Sequence, residues 1–390
     1  MLGRPDVASM VARAVRRSPV TALLGPRQCG KTTLARALAR ERSATFFDLE
    51  SQPDQRRLQN PEFALRAEGG LVILDEIQTR PELFPVLRVL ADRPRSRARF
   101  LVLGSASPDI VRGASETLAG WVEFVELGGF DLAEVGAGSW ERLWLRGGFP
   151  RSWLAKANDD SVAWREGLVR TFLERDVPQL GITVPAAAMR RFWTMLAHYH
   201  GQTWNASTIG ASMGLSDKTV RSYLDILTGT FMVRQLQPWH ENLNKRQVKS
   251  PKVYFRDSGL LHRLLEIDNR ASLLAHPQAG ASFEGFVIEQ VLRALTPAQA
   301  YFWSSHGGAE LDLFFISKGK RLGVEVKFSE APAPTRSMRT AVHDLKLDHL
   351  FVIYPGDHRY EVEEGITMWP VRDIPDLKQR IHTRVKTASH

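Results

Sequence analysis

The sequence predicts a three-domain α/β protein, and three observations support this fold class. In the first half of the chain, short apolar runs suited to buried strands alternate with helical patterns. The middle is a helical stretch with a glycine-containing turn, and the last third has a helix followed by strand-like segments. A chain of 390 residues with 43% hydrophobic residues can build several cores. We place the domains at residues 1–180, 181–270 and 271–390.

Composition limits the class of protein. Hydrophobic and charged residues (43% and 24%) are balanced as in a globular protein, which excludes wholesale disorder and a fibrous repeat. The formal net charge of +9 is compatible with a polyanionic partner. The single cysteine, Cys29, excludes an intrachain disulfide and a cysteine zinc cluster. Because no apolar run reaches the length of a signal peptide or a membrane span, we expect a cytoplasmic protein with no membrane partner.

A phosphate-binding motif follows the first apolar run, residues 20–24. Residues 25–32 have the pattern Gly-x4-Gly-Lys-Thr, and a helical pattern comes next. Glycines let main-chain N–H groups surround phosphates, and the helix N-terminus adds positive potential. We expect Lys31 to reach the β- and γ-phosphates of ATP and Thr32 to bind Mg2+. The predicted nucleotide-binding residues are Gly25, Pro26, Arg27, Gln28, Cys29, Gly30, Lys31, Thr32 and Thr33.

Two further apolar runs end in polar residues that suit nucleotide hydrolysis. Residues 71–74 precede Asp75 and Glu76, and ligands of an open α/β sheet bind at the carboxyl ends of its strands. We predict that Asp75 holds Mg2+ and that Glu76 polarises the attacking water. Ser105 ends the next run and is a candidate sensor of the γ-phosphate. The alternative for Ser105 is an ordinary helix cap or turn serine.

These motifs resemble a known family. The phosphate loop, LVILDEIQ (residues 71–78) and LVLGSAS (residues 101–107) are similar to an AAA-type P-loop ATPase of the additional-strand class. Three later segments resemble a prokaryotic subfamily: LAGWVEFVEL from residue 118, RGGFP from residue 146 and TFLERDVPQL from residue 171. Its members join such an ATPase to a C-terminal domain of uncharacterised function with a restriction-endonuclease-like, PD-(D/E)XK, core.

The resemblance implies a homo-oligomer, since AAA-type sites often use an arginine of a neighbouring subunit. Trp121 stands where the family usually has arginine after a glycine. Another arginine must then take that role, and the sequence leaves Arg112, Arg146 and Arg175 as alternatives.

The middle segment predicts a winged helix-turn-helix domain. Residues 205–216 would form a short helix with a glycine-containing turn, residues 217–227 a second helix, and residues 231–236 and 252–255 the wing hairpin. The predicted contacts to the DNA backbone are Lys218, Arg221, Lys245, Arg246 and Lys249. The alternative is a module that only packs between domains.

The last third predicts a restriction-endonuclease-like α/β domain. Asp312 lies about a dozen residues before Glu325-Val-Lys327, and Glu284 lies on the preceding helix. Strand alternation places Glu325 and Lys327 on one face, and likewise Glu310 with Asp312.

In that arrangement carboxylates hold a metal ion and a lysine activates water. Asp312, Glu325 and Lys327 are the catalytic candidates, and Glu284, Asp312 and Glu325 are the candidate ligands of Mg2+ or Mn2+. The alternative is a common cross-strand charge pattern.

Two functional hypotheses follow. The first is an ATP-hydrolysing AAA-type ATPase that acts on DNA, with a winged helix for contact and a metal-dependent nuclease domain. The second is a nucleotide-switched assembly or binding protein whose nuclease-like domain is an inactive scaffold.

Overall fold

The protein divides into two compact units. The computed structural model describes residues 3–40, 43–93, 98–105, 116–179, 184–240, 250–305 and 307–383. The first unit comprises Met1–Gly129 and Asp225–Met232, and the second comprises Phe130–Leu224 and Val233–His390.

The first unit is built on a parallel sheet. Its strands are β1 (Val20–Gly25), β2 (Ala44–Asp48), β3 (Gly70–Asp75), β4 (Ala98–Ser105) and β5 (Val122–Glu126). Its helices are α1 (Pro5–Arg17), α2 (Lys31–Arg40), α3 (Gln52–Arg57), α4 (Pro61–Arg66) and α5 (Leu83–Ala91). Among the described residues the strand order is β2-β3-β4-β1-β5, and every neighbouring pair is parallel. The additional strand β4 therefore separates the phosphate-loop strand β1 from the acidic strand β3, and the predicted parallel sheet is confirmed.

Burial explains why these runs form strands of a parallel sheet. All of β1 is buried, and so is all of β3 after Gly70. Strands covered on both faces need continuous apolar residues rather than alternation. The core includes Ala22, Val72, Val102 and Leu87, so helix α5 packs against the sheet. This packing holds the carboxyl ends of β1, β3 and β4 in a fixed relation.

The second unit combines helices with a mixed sheet. Its strands are β6 (Val233–Pro238), β7 (Lys252–Phe255), β8 (Ala300–Ser304), β9 (Glu310–Ser317), β10 (Lys320–Val326), β11 (His349–Tyr354), β12 (Tyr360–Glu363) and β13 (Ile366–Pro370). Its sheet order within the described residues is β12-β13-β11-β10-β9-β8-β6-β7. Strands β10, β11 and β13 are parallel neighbours, whereas β8, β9 and β10 pair antiparallel.

The helices of the second unit precede, separate and follow these strands along the chain. They are α6 (Leu132–Val135), α7 (Trp140–Arg146), α8 (Pro150–Trp153), α9 (Asn158–Thr171), α10 (Val177–Gln179), α11 (Ala186–His198), α12 (Ala206–Met213), α13 (Asp217–Gly229), α14 (Ser258–Leu264), α15 (Arg270–Ala275), α16 (Ala279–Leu295), α17 (Arg336–Asp344) and α18 (Leu377–Thr383). The last turn of α13, from Asp225, is grouped with the first unit. Met338 and Ala341 of α17 share a buried core with Leu311 of β9 and Val352 of β11.

The division of the structure differs from the predicted domain boundaries. Residues 130–179 group with the second unit, not with the phosphate-loop sheet. The predicted wing strands do pair antiparallel as β6 and β7, but β6 also pairs in parallel with β8. The hairpin is therefore the edge of the C-terminal sheet, because β8 takes up hydrogen-bonding groups that an independent wing would leave to solvent. The predicted boundary at residues 270/271 falls inside one sheet-containing unit.

A buried ion pair ties the hairpin to the long helix α16. The Glu289 side chain of α16 is almost fully buried and accepts hydrogen bonds from Arg234 of β6, at 3.2 Å for the Nη2–Oε2 contact. Arg256 Nε lies 3.5 Å from Glu289 Oε2. Burial alone would raise the pKa of Glu289, but the guanidinium groups of Arg234 and Arg256 outweigh it and lower the pKa to about 2.

Glu289→Gln should destabilise the protein by about 3–5 kcal/mol at pH 7, because it leaves buried guanidinium groups without their counter-charge. The depressed pKa means that the carboxylate stabilises the fold fully above its unfolded pKa, about 4.3. This contribution is lost as the pH falls towards about 2. Urea unfolding at pH 7 and pH 3 should show a wild-type advantage that shrinks at the lower pH. The exposed Glu364→Gln serves as control, and equal midpoints of Glu289→Gln and wild type at pH 7 would contradict this account.

Candidate functional site

The phosphate loop joins β1 to α2 through backbone that favours glycine. Gly30 has φ 102° and Gln28 has φ 63°, both in the left-handed region. A Cβ on Gly25 would lie 2.0 Å from the Leu127 carbonyl oxygen, so only glycine fits at the end of β1. The motif thus turns sharply between strand and helix, and helix α2 begins at Lys31.

Lys31 lies over its own loop. Its side chain is largely buried, and Nζ donates hydrogen bonds of 2.9 Å to the carbonyl oxygens of Gly25 and Pro26. These carbonyls hold the ammonium group inside the phosphate loop. A bound nucleotide offers stronger, anionic acceptors at the same position.

Thr32 and Asp75 meet at the carboxyl ends of β1 and β3. The Thr32 hydroxyl lies near enough to the Asp75 carboxylate to act on its pKa, and Asp75 Oδ1 accepts the Glu76 N–H at 3.0 Å. Burial raises the pKa of Asp75, and the Thr32 hydroxyl partly offsets this. Magnesium takes oxygen ligands, so this hydroxyl–carboxylate pair fits the ion that both residues were predicted to bind.

Glu76 is held in an unusual backbone conformation. Its φ of 58° and ψ of 47° are left-handed, a strained state for a residue with a Cβ that is found mainly at functional sites. The Glu76 Oε2 accepts a hydrogen bond from Gln78 Nε2. A Cβ on Gly104 would lie 3.4 Å from Gln78 Oε1, so Gln78 lies beside the end of β4.

Ser105 ends β4 directly opposite Gly25 in the β1–β4 register. Its Oγ is buried and has no hydrogen-bond partner among the described residues, and the same holds for Gln78 Oε1. Buried polar atoms are normally paired. Two unpaired polar atoms therefore lie near the end of β4, where the sequence predicts a sensor of the γ-phosphate. Sequence reasoning named Ser105 and missed Gln78.

Arg4 links the phosphate loop by hydrogen bonds to the segment that follows β5. Its Nη1 donates to the carbonyl oxygens of Cys29 (3.2 Å) and Gly128 (3.0 Å), and its Nη2 donates to Gly129 O (2.9 Å). The Cys29 thiol is fully buried and lies 3.4 Å from Leu127 O. Sequence reasoning missed Arg4, since an arginine near the chain start carries no motif.

A second cluster of charged residues lies in the second unit. Glu284 comes from α16, Asp312 from β9 and Glu325 from β10, and Lys327 follows β10. Lys327 Nζ donates to Glu325 Oε1 at 2.7 Å, and Asp312 Oδ2 accepts the Val326 N–H at 2.8 Å. The three carboxylates are near enough to repel one another electrostatically.

The hairpin strand β7 contributes two residues to this cluster that the sequence did not predict. Tyr254 donates its hydroxyl hydrogen to Glu284 Oε1 at 2.5 Å. Lys252 Nζ lies 3.8 Å from Glu284 Oε1 and 3.5 Å from Glu310 Oε2. Lys252 and Tyr254 alternate onto one face of β7, but no pattern in the sequence pairs that strand with α16.

Electrostatics of the cluster reflect crowded, buried carboxylates. Burial, followed by repulsion from Asp312, raises the pKa of Glu284 to about 7 and that of Glu325 to about 8. Glu325 Oε2 is buried and has no hydrogen-bond partner in the described part of the chain. Over that same part, no group of three or more His, Cys, Asp or Glu is arranged to hold a metal ion. The predicted ligands Glu284, Asp312 and Glu325 thus come together without forming a ready-made metal centre.

Comparison with family models identifies the first unit. Residues 17–136 match the model described as AAA domain. Residues 137–271 and 279–374 match two models described as domains of unknown function, DUF8612 and DUF4143. The phosphate-loop unit is therefore an AAA-type P-loop ATPase domain.

Two mycobacterial proteins resemble the chain over nearly its full length. The uncharacterized proteins Rv2008c of Mycobacterium tuberculosis and Mb2031c of Mycobacterium bovis are each 50% identical to it over 374 residues, covering 96% of this chain and 85% of theirs. The chain belongs to their family. The similarity to these relatives therefore extends beyond the AAA domain, over both domains of unknown function.

Two solved structures share distant similarity with this family member. The Walker-type ATPase PABY2304 of Pyrococcus abyssi is 15% identical, covers 68% of this chain and 96% of its own, and has a TM-score of 0.48. A STAND protein of Pyrococcus horikoshii with a tetratricopeptide repeat sensor, PH0952, is 12% identical, covers 75% and 45%, and has a TM-score of 0.29.

The predicted DNA-contacting residues are only partly described in this family member. Helices α12 and α13 flank Gly214, which has φ 68°, and Ser216 Oγ accepts the Thr219 N–H at 3.2 Å as a helix cap. Lys218 and Arg221 are exposed on α13. Lys245, Arg246 and Lys249 lie outside the described residues.

The three arginines predicted as substitutes for the missing family arginine differ in position and exposure. Arg112 lies outside the described residues. Arg146 and Arg175 belong to the second unit, where Arg146 is largely buried and Arg175 is exposed. Trp121 packs against the core of the first unit and lies under the Arg88 guanidinium, 5.0 Å from the ring centroid. Within the described residues, no helix has the length and apolarity needed to span a membrane.

Proposed function

We propose that the protein binds and hydrolyses ATP at the phosphate loop of its AAA domain. The observation that supports this most directly is that the Thr32 hydroxyl, at the start of the loop helix α2, lies near the Asp75 carboxylate at the end of the acidic strand β3. This proximity assembles a magnesium-ligand pair beside Lys31 and next to Glu76. The donors and acceptors needed for phosphoryl transfer to water are then present on one sheet edge.

Each residue has a defined role in this reaction. The main-chain N–H groups of residues 25–33 surround the phosphates, and Lys31 leaves the Gly25 and Pro26 carbonyls to contact the β- and γ-phosphates. Thr32 and Asp75 hold Mg2+, which when bound neutralises charge on the β- and γ-phosphates. Glu76 orients the attacking water and accepts its proton, while Gln78 fixes the Glu76 carboxylate. Ser105 donates to the γ-phosphate or the water.

A second candidate function is metal-dependent phosphodiester cleavage in the C-terminal cluster. Four carboxylates (Glu284, Glu310, Asp312 and Glu325) lie with two lysines (Lys252 and Lys327). If all six groups are ionised, two negative charges remain, which matches one divalent cation. The unpaired Glu325 Oε2 offers such a cation an oxygen. Asp312 and Glu325 would hold Mg2+ or Mn2+, with Glu284 completing the set, and Lys327 would orient the water.

The contact with nucleic acid is part of the same proposal. Lys218 and Arg221 on the exposed face of α13, with Lys245, Arg246 and Lys249, would neutralise DNA phosphates. The net charge of +9 supports a polyanionic partner.

We further propose that the protein is cytoplasmic and forms a homo-oligomer, so that an arginine of a neighbouring subunit reaches the nucleotide.

The competing function is a nucleotide-switched binding protein with an inactive scaffold. One observation favours it: Lys252 and Lys327 already offset part of the carboxylate charge, and no metal-holding group is found among the described residues. In that case ATP would drive assembly and the C-terminal cluster would only stabilise the fold.

One experiment separates these functions. ATP turnover is measured with single-stranded, duplex and branched DNA, in Mg2+ or in Mn2+, and nicking is scored in the same tubes. Stimulation of turnover by DNA supports action on DNA. If no nucleic acid alters ATP turnover and the DNA substrates stay intact, the result supports the nucleotide-switched binding protein. Absence of any turnover would overturn the ATPase proposal itself.

A further inference from the structure

Helix α7 presents two pairs of side chains to a cavity in the second unit. Trp140 and Trp144 are four residues apart, as are Arg142 and Arg146, so each pair lies along one helix face. All four line a cavity of about 740 Å³. Phe328, two residues after β10, and Pro355, directly after β11, line the same cavity. It thus lies at the carboxyl ends of two parallel strands, where open sheets bind ligands.

One wall of the cavity is aromatic. The rings of Trp140 and Trp144 stack at 6.3 Å with an interplanar angle of 18°, and Phe328 lies 5.1 Å from Trp144. Trp144 is fixed by its Nε1–H, which donates to Ser282 Oγ at 2.9 Å. The side chains of Phe328 and Leu274 remain 38% and 43% exposed. A planar apolar ring therefore finds partly open surface against which to stack.

The other wall carries two arginines, Arg142 and Arg146. Arg146 Nη1 donates to Ala155 O at 2.8 Å, and Arg142 Nη2 donates to Trp153 O at 2.8 Å and to Ala155 O at 3.3 Å. Neither guanidinium forms an ion pair within the described residues, and the remaining N–H groups of both are left to other acceptors. Burial, and then repulsion from Arg142, lowers the pKa of Arg146, while the Asp160 carboxylate acts in the opposite direction. An anion between them would relieve this repulsion.

Glycine contacts hold Arg146 at this wall. A Cβ on Gly259 would lie 2.1 Å from the Arg146 carbonyl oxygen, and Gly147 has φ 74° with its Cβ position occupied by Asp257. The Arg-Gly-Gly sequence therefore fixes the backbone of Arg146. Arg270, also in the lining, is already bound to Glu141 in a two-bond ion pair, and Glu330 is exposed.

We propose that this cavity is a second nucleotide site, with the base stacked on Trp140 and Phe328 and the phosphate bound by Arg142 and Arg146. The site takes a nucleotide with a single phosphate, either free or as an unstacked unit of a nucleic-acid strand. Its lining shares no residue with the phosphate loop, and the proposal does not rest on ATP hydrolysis or on cleavage by the C-terminal cluster.

The test is isothermal titration calorimetry on the full chain with the phosphate loop saturated by ADP and Mg2+. The probes are thymidine, dTMP and a 5′-phosphorylated pentathymidylate. Wild type should bind dTMP more tightly than thymidine. Tighter binding of the pentathymidylate assigns the site to a strand, and tighter binding of dTMP assigns it to a free nucleotide; either supports the proposal.

Variants separate base from phosphate recognition. Arg142→Met and Arg146→Met should each weaken dTMP binding on the order of tenfold with little effect on thymidine. Trp140→Ala should weaken both probes on the order of tenfold. Arg151→Met, an exposed arginine outside the lining, is the matched control. Since Arg146 is buried, thermal unfolding checks that its variant folds, and the exposed Arg142 gives an independent test. The proposal is overturned if wild type binds neither phosphorylated probe, or if Arg142→Met and Trp140→Ala bind them as wild type does.

Discussion

Replacing Glu76 by glutamine should lower the rate of ATP hydrolysis by about a hundredfold or more while ATP still binds. Glutamine keeps the volume of the side chain and an oxygen that can accept the Gln78 Nε2–H, so the local structure survives. It lacks the charge that polarises water and accepts its proton, and general-base catalysis contributes about 10²–10⁴-fold. Phosphate release measures hydrolysis, and titration with a fluorescent ATP analogue measures binding.

A second variant distinguishes loss of chemistry from loss of binding. Lys31→Ala removes the ammonium group that contacts the phosphates, so it should weaken nucleotide binding as well as hydrolysis. Glu62→Gln, an exposed glutamate on α4, should leave both unchanged. Wild-type turnover by both Glu76→Gln and Lys31→Ala would show that hydrolysis does not occur at this loop.

Much of the ATPase site was predictable because its chemistry is encoded locally. The loop spacing places Lys31 and Thr32 at the start of a helix, and an apolar run that ends in Asp75 is a strand whose carboxyl end carries the acid. Because all strands of the sheet are parallel, their carboxyl ends lie at one edge, and Thr32 comes near Asp75 although β4 lies between β1 and β3. Arg4 could not be predicted, because its bond to Gly128 joins residues 124 positions apart in the chain.

In the second unit, alternation within strands was predictable and pairing between distant strands was not. The alternation that places Glu325 beside Lys327 is confirmed by their 2.7 Å hydrogen bond. The parallel pairing of β6 with β8, over Gln237↔Tyr301, depends on sheet contacts that no local pattern specifies. That pairing makes the hairpin an edge of the C-terminal sheet, and Lys252 and Tyr254 enter the carboxylate cluster with it.

Asp312→Asn and Lys327→Ala should each abolish metal-dependent cleavage of nucleic acid and leave ATP turnover unchanged. Asparagine still offers an oxygen to the Val326 N–H, so the β9–β10 contact persists while the metal loses an anionic ligand. Alanine at position 327 removes the ammonium group bound to Glu325, the one group predicted to orient water. A nicking assay on supercoiled DNA, with Mg2+ and then Mn2+, measures the effect, and Asp159→Asn in the first turn of α9 is the control.

The two variants also decide what the carboxylate cluster is for. Cleavage that persists in Asp312→Asn comes from another site or another protein, because the predicted metal set cannot work without this carboxylate. Cleavage by neither wild type nor variant, of DNA or of RNA, removes the nuclease function. Lys252 then explains the cluster better, since its contacts of 3.8 Å to Glu284 and 3.5 Å to Glu310 neutralise carboxylates without a metal. In that outcome Lys252→Met should destabilise the fold, because it leaves buried carboxylates without their cation.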